Sequence, residues 1–195
     1  MRDINSIVDF EKHPINDNDY LQKCNALIKK NSLLVLENFL SIGSLEKILK
    51  ETKFLENKAF YCDQKHTILL NKQSPDLDIF DPINQLMTSD KGCVPHDLIS
   101  ENSDLNLLYN SNTFKDFLKY VLELDQIFPY ADNLSSINLN YYQKGQQLGW
   151  HFDNASFAIT LMIQSAESGG DFEYVNKGRD YNKNFINKSY IKKNT

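Results

Sequence analysis

In a chain of 195 residues, the side chains best placed to do chemistry are His151 and Asp153, two positions apart. On an extended strand, residues i and i+2 leave the same face, so an imidazole and a carboxylate at that spacing converge on one point. A neutral imidazole nitrogen and a carboxylate oxygen are two of the three donors in the two-histidine, one-carboxylate set. That set holds a six-coordinate Fe(II) and leaves neighbouring positions open for small molecules. Histidine–aspartate pairs at this spacing also arise by chance. The plainer reading is a strand-end histidine hydrogen-bonded to solvent or to a nearby carbonyl.

The pair lies where the hydrophobic period is two. Ile137, Leu139 and Tyr141 alternate with Asn138, Asn140 and Tyr142, and Phe157, Ile159, Leu161 and Ile163 alternate with Ala158, Thr160, Met162 and Gln164. After Gly169-Gly170, Phe172 and Tyr174 alternate with Asp171, Glu173 and Val175. Three two-faced strands are predicted. Upstream the period is helical. Leu21, Cys24, Leu27 and Ile28 predict a helix over 18–30, behind a polar capping cluster at 16–19. Leu45, Ile48, Leu49 and Phe54 predict a second within 41–57. Residues 104–124 read as one long or two short helices, with a break near Asn110-Ser111-Asn112 where Ser111 or Asn112 caps a new start. The unbroken apolar run at 33–40 predicts a buried strand, and 67–70 another. Residues 71–103, with Pro75, Pro82, Gly92 and Pro95, read as loops suited to substrate binding or to surface excursions. Helices in the first two thirds and antiparallel strands in the last give an α+β class with helices covering one sheet.

Composition bounds the partners. With 21 Lys+Arg, 26 Asp+Glu and 41% hydrophobic residues, the chain reads as a single domain over residues 1–195. Residues 176–195 hold six cations and one anion, a charge of +5, which leaves −10 on residues 1–175 from a total of −5. So acidic a body repels phosphate backbones, which argues against nucleic-acid binding, and the basic stretch 176–195 reads as a poorly ordered tail. No apolar run approaches the roughly 20 residues of a membrane span. No secretory or transit signal is visible, so a cytoplasmic location follows by default. Cys24, Cys62 and Cys93 are odd in number and form no C-x-x-C pair, so they read as reduced packing residues. No pattern sets an oligomeric state.

The order Tyr142-x-x-Gly145, His151-x-Asp153, a strand and a Gly169-Gly170 turn resembles the iron(II)/2-oxoglutarate-dependent oxygenases, in particular the prolyl 4-hydroxylase-like branch, over residues 136–175. The wording GWHFDN, FAITLMIQ and ESGGDFEYV is most similar to small bacterial enzymes that hydroxylate or halogenate free amino acids. The resemblance implies a double-stranded β-helix (jelly-roll) with N-terminal helices packed on one sheet, and Fe(II), 2-oxoglutarate and O2 as the cofactor set. His151 and Asp153 match the metal ligands. Tyr142 matches a tyrosine beside bound 2-oxoglutarate, where a phenol donates to a carboxylate. Asn140, on the same strand face, is a second polar contact or a solvent-facing residue. Thr160 is placed to line the cosubstrate pocket. Asn154 contacts substrate or turns the chain, and Trp150 shields the site from water or is plain core. Gly145 and Gly149 permit the turn into His151 through positive φ. Halogenases of this superfamily resemble hydroxylases whose carboxylate is replaced by a small residue that makes room for chloride. Asp153 is kept, so the implied reaction is hydroxylation of a small-molecule substrate such as a free amino acid. The acidic body suits a cationic one.

The resemblance also implies a second histidine well downstream and then an arginine or lysine for the far carboxylate of 2-oxoglutarate. No histidine follows His151. Arg179 is the one arginine there and precedes the implied position, so it is not assigned. His13, His66 and His96 lie upstream, and using any of them would demand a permuted topology. The expectation is a domain lacking its C-terminal strands, with weak Fe(II) binding and no turnover by these residues alone. Two rivals stand beside it. One is a non-catalytic jelly-roll or cupin-like binding module in which His151 and Asp153 are ordinary polar residues. The other is a cupin isomerase, a class that supplies more than one histidine in its first motif.

Overall fold

A computed structural model describes residues 3–132, 134–175, 179–180, 185–189 and 191. The chain divides into two compact units, one comprising Met1–Lys58 and Val94–Leu139, the other Ala59–Cys93 and Asn140–Thr195.

The first unit is helical: α1 Asn18–Asn31, α2 Ile42–Leu55, and later α3 Asp104–Asn110 and α4 Asn112–Val121. Each starts where a side chain accepts a first-turn N–H: Asp17 from Tyr20, Ser41 from Ser44, Ser103 from Leu105, Ser111 from Phe114. The predicted helices over 18–30 and 41–57 are therefore present, and the break near Ser111 is a true restart. Helix α1 packs on α4 and α2 on α3, around Ile7, Val8, Ile15, Cys24, Ile48, Phe117 and Val121. Tyr20 and Phe114 stack on Phe117. The strand predicted over 33–40 does not form. Leu40 alone pairs, in an isolated bridge with Val8, Asn38 takes a left-handed φ of 56°, and Val35 is 66% exposed. An apolar run makes a strand only where a neighbouring ladder takes its backbone groups.

The second unit carries the sheet. β1 Phe60–His66 runs antiparallel to β2 Met87–Val94, in a register from Phe60 opposite Cys93 to His66 opposite Met87. With β3 Leu139–Tyr141 the order is β1-β2-β3, so the central strand comes from the region expected to be loop. The strand predicted over 67–70 is instead the turn that closes β1, where the Leu70 N–H donates to the Thr67 carbonyl and Leu70 sits at φ 60°. The Tyr61 ring lies over Gly92, where an added Cβ would come within 2.7 Å of it. Within the former loop region, residues 73–84 wrap around buried Asn84. Its amide donates to the carbonyls of Ser74, Leu77 and Asp78, and its Oδ1 accepts the Ser74 N–H.

Of the three strands predicted in 136–175, only the first forms, over Leu139–Tyr141. Residues 154–175 lie in no strand and make no hydrogen bond to any described residue. Ile159, Met162, Phe172 and Tyr174 are each more than half exposed. The architecture is mixed α+β as expected, but the described strands amount to a small three-stranded antiparallel sheet and a two-residue ladder of β4 Arg179–Asp180 with β5 Phe185–Ile186. The stretch 176–195, read as a basic tail, falls largely outside the described residues. Within it Lys188 pairs with Asp81 at 2.5 Å and Ile191 is buried. Among the described residues no helix is long and apolar enough to cross a membrane.

Candidate metal centre

His151 and Asp153 sit on an irregular segment that follows β3, not on the strand end expected from the spacing. Gly145, at φ 85°, opens the segment, and three anchors then hold it. Gln147 exchanges bonds with Asp90: its carbonyl accepts the Asp90 N–H at 3.0 Å and its N–H donates to Asp90 Oδ1 at 2.8 Å. The Gly149 N–H donates to Ser89 Oγ at 2.9 Å. The Phe152 N–H, between the two side chains of interest, donates to the Ile68 carbonyl at 2.8 Å.

The two side chains do converge. His151 Nδ1 lies 2.8 Å from the Gly149 carbonyl, which only accepts, so Nδ1 carries a hydrogen and Nε2 is the ring nitrogen turned outward. Asp153 Oδ1 stands 3.5 Å from that Nε2. With the ring neutral, two acceptors thus face one gap, and a metal cation, or a proton on Nε2, satisfies both. Cis donors about 2.1 Å from a metal lie about 3 Å apart, so the pair fits two adjacent coordination positions with little movement. The His151 side chain is 20% exposed and that of Asp153 57%, which leaves the gap reachable from one side. The bond to a nearby carbonyl that the plainer reading expects is present, and it is compatible with either reading, since such a bond is also what fixes the tautomer of a ligating imidazole.

Among the described residues, no group of three or more His, Cys, Asp or Glu side chains gathers around a common point. The other histidines have both ring nitrogens engaged. His13 bonds the Tyr20 hydroxyl and the Glu37 carbonyl, and His96 bonds Ser136 Oγ and Asn106 Oδ1. His66 donates from Nδ1 to the Thr67 carbonyl at 2.9 Å and accepts at Nε2 from Ser89 Oγ at 2.6 Å.

The remaining expected site residues are more loosely placed. Asn140 and Tyr142 share the exposed face of β3 and its continuation, while Leu139 is buried and Tyr141 half-buried. Burial, and then the Cys93 thiol beside it, push the Tyr142 phenol above its ordinary pKa. Trp150 is half-buried next to His151, whereas Asn154 and Thr160 are exposed and hydrogen-bonded to no described residue. Gly149, expected at positive φ, is not. It is pressed against β2, where an added Cβ would meet the Thr88 carbonyl at 2.7 Å and Met87 Cβ at 2.8 Å. Sequence reading missed Ser89, His66 and Cys93 as neighbours of these residues, because only the register of β1 on β2 brings them near.

No curated protein matches the chain. The Halogenase D family model does, from the first residue of α1 to beyond β5 and through the converging His151–Asp153 pair, and over residues 18–194 that match makes the chain a member of this family of halogenase-type enzymes.

Proposed function

We propose that this family member is an Fe(II)- and 2-oxoglutarate-dependent hydroxylase of a small molecule such as a free amino acid. The observation that carries the reading is the convergence of His151 Nε2 and Asp153 Oδ1, 3.5 Å apart, with the opposite ring nitrogen committed to the Gly149 carbonyl. The retained carboxylate favours hydroxylation over halide transfer, because it fills a metal position and supplies the negative charge that a bound halide would otherwise bring.

When bound, iron with 2-oxoglutarate and O2 supplies oxidation of an unactivated C–H bond. The protein's share is to hold, to orient and to exclude water. His151 and Asp153 hold the metal. The Tyr142 phenol, kept protonated by its raised pKa, donates to a cosubstrate carboxylate, with Asn140 on the same face and Thr160 along the pocket. Trp150 shields the metal's neighbourhood from water, Asn154 touches substrate, and the loop built on Asn84 contributes to substrate choice. On the same reading residues 154–175 supply strands of a double-stranded β-helix: their alternation is intact and their backbone groups are bonded to no described residue.

Titrating the 195-residue chain with Co(II), followed by its visible absorption, tests the centre. The expected result is weak binding that Asp153→Ala abolishes. Binding indifferent to Asp153→Ala sinks the metal centre and favours the second reading, a non-catalytic binding module, for which the gathering of only two donors among the described residues speaks.

A further inference from the structure

The candidate metal pair is held by a continuous run of hydrogen bonds that begins two strands away. His66, at the end of β1, donates from Nδ1 to the Thr67 carbonyl, so its Nε2 is an acceptor. The Ser89 hydroxyl, on β2, donates to that Nε2 at 2.6 Å and accepts the Gly149 N–H at 2.9 Å. The other side of the Gly149 residue completes the run, its carbonyl accepting His151 Nδ1–H at 2.8 Å. Every donor meets an acceptor, with one consistent direction throughout. The His66 ring also stands edge-on to the His151 ring, centroids 6.2 Å apart at 89°.

His66, Thr67 and Ser89 are all buried, in a unit whose described residues otherwise bury few apolar groups. A buried polar network is retained at a cost unless every member is satisfied, and this one is. Its free end is the one atom that matters for the reading above, His151 Nε2. Gly149 makes the arrangement possible, since any side chain there would collide with the β2 backbone and lift the segment away from Ser89.

We propose that Ser89 and His66 are positioning residues of the His151–Asp153 pair, acting through Gly149 to fix the His151 tautomer and ring plane. The proposal rests on the metal reading only for its purpose; the positioning itself is a property of the metal-free chain. Groups that orient a ligating histidine from behind change metal affinity by about 10- to 100-fold when removed.

The test uses the 195-residue chain with 15N-labelled histidine. Long-range 15N–1H correlation spectra should show His151 in the Nδ1–H form. Ser89→Ala should convert it to a mixture of tautomers and weaken Co(II) binding about 10- to 100-fold. Ser89→Thr, which keeps the hydroxyl, should restore both. Gly149→Ala leaves Ser89 and His66 in place but displaces the peptide, and should release His151 in the same way, so the test stands even if Ser89→Ala does not fold. Ser103→Ala, which removes the α3 cap in the other unit, should lower the melting temperature without moving the His151 signals. Unchanged His151 signals in both Ser89→Ala and Gly149→Ala overturn the positioning role, whatever the metal does. A wild-type chain that binds no Co(II), yet loses its His151 tautomer in Ser89→Ala, sinks the metal reading and supports the positioning role.

Discussion

Asp153 is the residue on which two chemistries divide. In the proposed centre, a carboxylate at that position would give a bound metal one protein anion and leave no place reserved for another. Asp153→Gly removes the anion and opens the position, so the variant should bind Co(II) only when chloride is added to take the vacated place, whereas chloride should leave the visible spectrum of the Co(II)-loaded wild type unchanged. A wild-type protein that responds to chloride as strongly as the variant would overturn the proposal of hydroxylation. Cys93 offers a separate test. Burial pushes its thiol up, against the smaller opposing pull of Lys91 and with a still smaller push from the neighbouring Cys62. Below an unfolded thiol pKa of about 8.5 both states hold the proton. As pH rises through that value the unfolded chain loses its proton first, so stability falls on the alkaline side. The melting temperature should therefore drop above about pH 8.5, and drop less in Cys93→Ala. A fall of equal depth in the two proteins would exonerate the thiol.

At the scale of elements, the loop over 73–84 behaves as a structure of its own because Asn84 replaces a ladder. Its 3%-exposed side chain satisfies three carbonyls and one N–H that would otherwise need water. Asn84→Ala should cost about 1–3 kcal/mol and sharpen proteolysis within the loop, read by limited digestion and mass spectrometry; an undiminished lifetime would show that the loop is held elsewhere. The helices were legible because their signals are local. Ser41 and Ser111 announce starts, and apolar residues three and four apart follow them. The sheet was not. β2, with Thr88, Ser89, Asp90, Lys91 and Gly92 in a row, carries almost no apolar alternation, yet it is the central strand. Residues 157–164 alternate well and find no ladder among the described residues. Pattern states which face a strand would bury, whereas pairing depends on a partner whose identity is nonlocal. The site divides along the same line. Two residues of spacing exposed His151 and Asp153, while Ser89 and His66 stand behind them through strand register alone.

For the whole molecule, the contrast is between two interiors. The unit of Met1–Lys58 and Val94–Leu139 buries isoleucines, leucines and aromatic rings against one another. In the unit of Ala59–Cys93 and Asn140–Thr195, the buried apolar residues among those described are Ile68 and Ile191, beside His66, Thr67, Asn84 and Ser89. Cohesion there depends on matched donors and acceptors more than on area removed from water. Residues 154–175 extend that unit with peptide groups unclaimed by any described neighbour and with large side chains such as Ile159, Met162, Phe172 and Tyr174 in solvent. A backbone so presented is a template for adventitious cross-β stacking. Concentrated samples should grow in light scattering and bind thioflavin T, and Ile159→Lys or Met162→Lys should delay both, as gatekeeper charges do along natural sheet edges.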